Sequence, residues 1–290
     1  MGVDQINMRI LIILEDYIRD INAENIVHNK HEYSAGISRL KVFEKVSEKI
    51  AQNVYIYGNI KIGKCRGLQT INKLNTSLNP NVIVFNNAPK LKTLLGIYKK
   101  FPKSRRIIWF GNPIHHYMFS YLYLNLIDHF VCVSNYHKSL YKNYNIKDRI
   151  SYIYSGTNVD QVRLSPKDKD KNQYIWISAP VKSKGITNLF PLWRNILNIN
   201  PQAKLDLFGS LALHGGNSQR IFEHDVQVLA DKFLSDQRIA ESIRLRGWVE
   251  REVLFNSIKS ARYCIVNLNY EGSFETYCSS AVEAQQLGSF

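Results

Sequence analysis

The sequence predicts an α/β fold made of two doubly wound, parallel-sheet domains. Apolar runs of strand length alternate with amphipathic helical segments along most of the 290 residues. The alternation pauses once, at 155–173, in a stretch rich in Gly, Asn, Pro and Lys. Apolar strands separated by helices indicate a parallel sheet that is covered on both faces. We therefore place one domain at 1–155 and a second at 156–290.

The elements of the first domain follow from hydrophobic periodicity. The apolar run 8–14 predicts the first strand, and a helix is predicted over 34–52, where apolar residues recur every three or four positions. The remaining strands are predicted at 53–58, 81–86, 105–111 and 129–134, with helices at 91–101 and 135–143.

The second domain repeats the alternation. Helices are predicted at 185–199, 219–234 and 251–260, and one more closes the chain. The strands between them are predicted at 174–178, 204–210, 242–249 and 263–269. In such sheets a ligand binds at the carboxyl ends of the strands, so both domains are expected to present their functional loops there.

The charge is concentrated in the first half of the chain. Residues 1–155 carry 22 Lys and Arg against 10 Asp and Glu, whereas 156–290 carry 16 against 14. No acidic residue lies between Glu48 and Asp128. This imbalance indicates an anionic partner, such as lipid headgroups, a phosphorylated acceptor or nucleic acid. A solvated basic surface would show the same pattern.

The cysteines and the apolar runs bear on the compartment. Cys65, Cys132, Cys264 and Cys278 form no C-x-x-C pair, and buried free thiols in a reducing cytoplasm are the simplest account. No run approaches the roughly 20 apolar residues that cross a bilayer. We expect a cytoplasmic protein.

The segment 274–288, FETYCSSAVEAQQLG, carries the clearest chemistry. Glu275 and Glu283 lie eight positions apart around a helix start expected near Thr276. A rise of about 1.5 Å per residue would separate the carboxylates by roughly 12 Å along the axis. A helix N-terminus also attracts phosphate. The spacing suits a nucleotide sugar, although solvated helix faces show it as well.

This segment resembles the E-x7-E signature of retaining glycosyltransferases of the GT-B type, in family four. The motif helix of that family often ends E-A-x-x-x-G, which Glu283, Ala284 and Gly288 match. The resemblance covers most of the chain and is clearest from about Asp128. It implies two Rossmann-like domains and transfer of a hexose from a nucleotide diphosphate sugar, with retention and with no metal or cofactor.

The resemblance also assigns donor-site roles in the second domain. Glu275 would be the catalytic residue that holds hydroxyls of the transferred sugar, and Glu283 would bind the ribose. Lys184 would meet the pyrophosphate, with Lys182 in place of the usual Arg; two exposed lysines in a turn are the alternative. The remaining donor-binding positions are Gly209, Gly272, Ser273, Phe274, Thr276 and Tyr277.

Three residues of the first domain complete the expected site. Gly36 opens the first long helix and would let the backbone approach the donor phosphates or the acceptor. His115 and His116 follow the strand at 105–111, where the family often places a functional His near the reacting sugar. Either could orient a hydroxyl, and either could be an ordinary surface residue.

The chain ends where the resemblance predicts a further strand and a final helix. We therefore expect the second domain to be incomplete and the protein to be truncated at its C-terminus. An inactive relative of the glycosyltransferases is one reading of such a chain.

The expected partners are a nucleotide sugar, a glycan or lipid-linked acceptor of polysaccharide biosynthesis, and an anionic membrane surface. The basic first domain would contact that surface, at the inner membrane face. A sugar-nucleotide epimerase shares the two-domain architecture but does not explain the E-x7-E helix. A nucleic-acid-binding protein fits the charge, but its stacking aromatics should be exposed. Here they fall in strands expected to be buried: Tyr55, Tyr57, Phe85, Trp109 and Phe110. We expect no specific nucleic acid.

Overall fold

The computed structural model divides the chain into two compact units, Met1–Gly156 and Thr157–Phe290. The residues that the structure describes are 8–14, 42–43, 46–47, 51–58, 64–65, 67–114, 116–154, 169–209, 211, 222–266, 268 and 278–290. Within these residues no helix is long and apolar enough to cross a membrane.

The first unit is built on a sheet that, in the described ranges, has eight strands in the order β3-β4-β2-β1-β5-β6-β7-β8. Seven of them form a parallel ladder, and the short β3 pairs with β4 in the antiparallel sense. The strands are β1 (Met8–Ile13), β2 (Ala51–Tyr57), β3 (Lys64–Cys65), β4 (Leu68–Ile71), β5 (Val82–Asn86), β6 (Arg105–Trp109), β7 (His129–Cys132) and β8 (Ile150–Tyr152).

The core of the first unit lies on both faces of this sheet, as a parallel sheet requires. Leu11 and Ile83 are fully buried in one cluster with side chains of the helices, and Ile12, which points to the other face, is equally buried. The helices are α1 (Leu91–Lys100), α2 (Tyr121–Leu126) and α3 (Asn135–Ser139), with 3-10 turns at Thr76–Leu78, His116–Phe119 and Lys147–Arg149.

The second unit contains a parallel sheet, which has the order β11-β10-β9-β12 among the described residues. Its strands are β9 (Asp170–Ile177), β10 (Lys204–Phe208), β11 (Ile243–Gly247) and β12 (Ala261–Ile265). Its helices are α4 (Ile186–Ile199), α5 (His224–Leu234), α6 (Gln237–Ser242), α7 (Arg251–Ser260) and α8 (Ser279–Gln286).

The two faces of the second sheet have separate cores. Trp176 and Trp193 lie fully buried on the face covered by α4 and α5, and the Trp193 indole donates to Ser242 Oγ at 2.9 Å. On the other face Ile175 packs with Leu287 of the chain end. This two-sided covering is the doubly wound arrangement that the sequence predicts.

The motif helix begins later than the sequence indicates. Cys278 has an extended backbone (φ −94°, ψ 94°) and caps α8, so the helix starts at Ser279 and not near Thr276. Its first backbone bond runs from the Val282 N–H to the Cys278 carbonyl at 3.2 Å. Glu283 therefore lies just over one turn inside the helix, and the 12 Å helical separation from Glu275 does not apply.

Two further expectations about side chains are corrected. Arg106, one of the basic residues between Glu48 and Asp128 that would belong to the expected basic surface, is buried; its side chain donates to the Leu126 carbonyl at 2.7 Å and pairs with Asp128 at 3.5 Å. Of the free thiols, Cys132 is buried as predicted, but Cys264 and Cys278 are only half-buried. The aromatic side chains of Phe85, Trp109 and Phe110 are buried, while Tyr55 and Tyr57 are partly so.

The last residue pairs with the edge of the second sheet. The Cys264 N–H donates to the Phe290 carbonyl at 2.7 Å, and the Phe290 N–H donates to the Arg262 carbonyl at 2.9 Å. Beside this contact Lys169 is buried, and its Nζ donates to the Ile258 carbonyl at 2.8 Å and to Ser289 Oγ at 3.2 Å. The start of β9 and the chain end are thereby joined.

Candidate functional site at the carboxyl edge of the second sheet

The lysine-bearing turn directly follows β9. Lys182–Lys184 form a 3-10 turn, and Gly185 closes it with its N–H donating to the Lys182 carbonyl at 2.9 Å. Gly185 has φ +79°, a left-handed conformation that glycine adopts without strain. Lys182 is exposed and Lys184 half-buried. The turn ends at the N-terminus of α4, where backbone amides favour an anion.

The lysine turn packs against Leu268, which follows β12 in the chain. A Cβ on Gly185 would lie 2.4 Å from the carbonyl oxygen of Leu268. The Asn188 side-chain amide donates to the same carbonyl at 2.8 Å. Because β9 and β12 are neighbours in the sheet, the lysine turn and Leu268, which precedes Glu275 in the sequence, lie side by side.

At Gly209, two backbone segments again lie in close contact at the same edge of the sheet. It has φ +136°, and a Cβ there would lie 1.9 Å from the Ser178 carbonyl oxygen. Its N–H donates to the Gly247 carbonyl at 2.8 Å. The ends of β9, β10 and β11 are thus joined through backbone, which explains why this position is a glycine.

A carboxylate that the sequence does not single out contacts the lysine turn. Glu223 Oε2 accepts from the Lys182 backbone N–H at 3.0 Å, and the Glu223 N–H donates to the Pro180 carbonyl at 3.3 Å. Glu223 therefore anchors the start of the turn to the N-terminus of α5. No local motif marks it, because the two segments lie 41 positions apart in the chain.

Glu283 is buried and forms an ion pair within an apolar cluster. The residue is 6% exposed, and its Oε1 pairs with Nη2 of Arg251, the first residue of α7. The guanidinium lies over the Phe255 ring, 4.5 Å from its centroid. Arg251 is also absent from the sequence-based site, because only the fold brings α7 and α8 together.

Cys264, whose thiol interacts electrostatically with Glu283, is poorly suited to act as a nucleophile. Burial, reinforced by the neighbouring Cys278, raises the pKa of Cys264 to about 12. The thiol stays protonated at neutral pH, and covalent catalysis by Cys264 is therefore disfavoured.

Several predicted positions cannot be placed. Glu275, His115 and six of the donor-binding residues lie outside the described residues; those six are Gly36, Gly272, Ser273, Phe274, Thr276 and Tyr277. Among the residues that are described, no group of three or more His, Cys, Asp or Glu could hold a metal. The roles of Glu275, His115 and these six residues stay predictions, as does the independence from metal.

Ile114, the residue before His115 and His116 in the first unit, is held by a hydrogen bond. The Ile114 N–H donates to Tyr141 Oη at 2.9 Å, and this oxygen lies 3.3 Å from His137 Nε2. Burial raises the pKa of Tyr141, so its hydroxyl stays neutral. His116 then begins a 3-10 turn. His137, which the sequence does not single out, is fully buried and supports this loop.

Comparisons with known proteins rest on structure. No family model matches the sequence, and no curated protein matches it. The lipopolysaccharide outer core galactosyltransferase WaaB, solved without ligand, has a TM-score of 0.62 at 13% identity over 97% of this chain and 79% of its own. The N-terminal domain of the Candida albicans trehalose-6-phosphate phosphatase gives 0.57 at 8% identity, over 99% and 81%.

A third similar structure is the pneumococcal O-GlcNAc transferase GtfA, solved with UDP and GlcNAc. Its TM-score is 0.55 at 16% identity, over 73% of this chain. The matched region spans 42% of the length of GtfA. Together with the two parallel sheets, these similarities show that the fold is GT-B, as the sequence predicts.

Proposed function

We propose that this protein is a glycosyltransferase that transfers a hexose from a nucleotide diphosphate sugar. The observation that supports this most is the contact of Gly185 with Leu268, which sets the lysine turn beside a residue that lies seven positions before Glu275 in the sequence. The reaction builds negative charge on the leaving diphosphate, and preorganised cations and amides stabilise it. Lys182, Lys184 and the N-terminus of α4 would supply them.

The two glutamates are proposed to have the roles that the resemblance to family four implies. Glu283, buried beside Arg251, would accept hydrogen bonds from the ribose. Glu275 would hold hydroxyls of the transferred sugar. Retention of configuration, independence from metal and membership of family four belong to this proposal. We take a uridine nucleotide as the first donor to try, because GtfA was solved with UDP.

The acceptor side of the proposal rests on the basic surface of the first unit. Lys92 and Lys99 lie two turns apart on α1 and are exposed, as are Leu91 and Tyr98, each at 39%. Basic residues next to exposed apolar ones suit an anionic membrane surface. We therefore propose a glycan or lipid-linked acceptor of polysaccharide biosynthesis, with the protein peripheral at the inner membrane face.

The experiment that tests the function is a donor screen. Each of UDP-glucose, UDP-galactose, UDP-GlcNAc, GDP-mannose and ADP-glucose would be added to the full chain, and its melting temperature and its release of nucleoside diphosphate measured. One donor should raise the melting temperature and be hydrolysed slowly. Stabilisation without turnover would indicate an inactive relative, and no response to any donor would contradict the proposal.

A further inference from the structure

The ion pair between Arg251 and Glu283 is enclosed by protein. The side chains are 14% and 8% exposed, so water screens the pair little. Removing one partner of such a pair leaves a buried charge without compensation, which is costly. The orientation of the Glu283 carboxylate therefore depends on the guanidinium.

Packing restricts both side chains on their own helices. The Arg251 guanidinium lies 4.5 Å from the centroid of Phe255, one turn further along α7. Ala284 of α8 and Leu287, which follows this helix, are buried in one cluster with Ile258 of α7. Apolar contacts thus set the position of α7 relative to α8. The ion pair with Arg251 then fixes the orientation of the Glu283 carboxylate.

We infer that Arg251 is a positioning residue, which holds the Glu283 carboxylate in the orientation that receives the ribose hydroxyls of the donor. The inference rests on the proposed nucleotide-sugar site. A carboxylate fixed in this way accepts charge-assisted hydrogen bonds without first reorganising. Arg251 acts through Glu283 and needs no contact with the ligand itself.

A purely structural role would have a different signature. A pair that served stability alone could be replaced by apolar side chains at little cost. Its loss would weaken the binding of every nucleotide to a similar extent. Loss of a positioning residue instead removes discrimination between ligands that differ in one ribose hydroxyl, because the hydrogen bond to that hydroxyl depends on the orientation of Glu283.

The experiment compares ribose with 2′-deoxyribose ligands by titration calorimetry on the full chain. UDP, GDP and ADP are each compared with their own 2′-deoxy form. The variants are then measured with the pair whose ribose form binds the wild type most tightly. The wild type should prefer the ribose form by roughly 10-fold or more, the value of one charge-assisted hydrogen bond. In Arg251→Met the preference should fall to about 2-fold or less, with the affinity for the 2′-deoxy form nearly unchanged.

Three control variants separate the possible causes. Arg246→Met removes an exposed arginine of the same unit and should keep the wild-type preference. Glu283→Gln should lose the preference, and adding Arg251→Met to it should change little further, because the two residues act as one unit. Arg251→Lys keeps the charge without the fork, so its preference should be intermediate.

The outcomes keep the inference and the proposed function apart. A wild type that prefers ribose, with an Arg251→Met variant that prefers it equally, would overturn the inference and leave the function standing. Absence of nucleotide binding in the wild type would overturn both. Should Arg251→Met fail to fold by circular dichroism, Arg251→Lys decides, and a preference equal to that of the wild type would overturn the inference.

Discussion

Gly185 and Leu268 lie in such close contact that a Cβ atom on Gly185 would sit 2.4 Å from the carbonyl carbon and the carbonyl oxygen of Leu268. The two residues follow neighbouring strands, β9 and β12. Real Cβ atoms do not approach backbone this closely, so a side chain at Gly185 must displace one of the two segments. The contact therefore requires glycine. It couples the lysine turn to Leu268, which precedes Glu275 in the sequence.

Replacing Gly185 by Ala should damage donor binding. The residue has φ +79°, so the new side chain adds backbone strain to the clash. We expect nucleoside diphosphate affinity to fall by about 10-fold or more, with a lower melting temperature. Gly96→Ala is the matched control, because Gly96 is an exposed position of α1 and a Cβ there would have nothing within 4 Å. Wild-type affinity in Gly185→Ala would contradict the coupling.

Lys184 should act on phosphate and not on the rest of the nucleotide. Lys184→Ala removes a countercharge, so nucleoside diphosphate affinity should weaken by roughly 10- to 100-fold while nucleoside affinity stays the same. Lys171→Ala, an exposed lysine of β9, should change neither. Calorimetry with both ligands measures this. An equal loss for the nucleoside would show that Lys184 supports the fold instead.

Glu275 should matter more for turnover than for nucleotide affinity. Its proposed partner is the transferred sugar, which a free nucleoside diphosphate lacks. In Glu275→Gln we expect release of nucleoside diphosphate from the sugar donor to fall by about 100-fold, while UDP or GDP binds nearly as before. If free nucleotide binding collapses and residual turnover follows occupancy, the division of labour between the two glutamates is wrong.

The basic surface of α1 should bind anionic vesicles. Each exposed Lys near a negatively charged leaflet contributes about 1 kcal/mol. The double variant Lys92→Glu/Lys99→Glu should therefore lose most of the binding to phosphatidylglycerol vesicles in a sedimentation assay. Lys171→Glu/Lys232→Glu makes the same charge change on exposed residues of the second unit and should bind normally. Tight, sequence-selective RNA binding without vesicle association would favour the nucleic-acid alternative.

Lys169 should stabilise the second unit without affecting catalysis directly. Its Nζ donates to the Ile258 and Ala261 carbonyls at 2.8 and 3.1 Å and to Ser289 Oγ. Burial lowers the pKa of this amine, which offsets part of the benefit of these bonds. We still expect Lys169→Met to cost about 1–3 kcal/mol in urea unfolding, because the carbonyls lose a buried donor. Lys171→Met serves as the exposed control.

Hydrophobic periodicity in the sequence predicted the fold class and most of the elements. Continuous apolar runs separated by amphipathic segments have one stable arrangement, a parallel sheet covered on both faces. The helix predicted at 251–260 coincides with α7. The strand ends after β9 and β10, marked by Lys184–Gly185 and Gly209, also carry the backbone geometry that such turns need.

The residues that surround the predicted donor positions could be identified from the three-dimensional fold alone. Arg251, Glu223 and Leu268 contact Glu283, Lys182 and Gly185 across 32 to 83 positions of sequence, and no periodicity encodes such contacts. The start of α8 at Ser279 likewise depends on the extended conformation of Cys278. Local preferences act over a few residues, whereas the packing of α7 against α8 and of β9 against β12 sets these contacts, so their identity had to come from the fold.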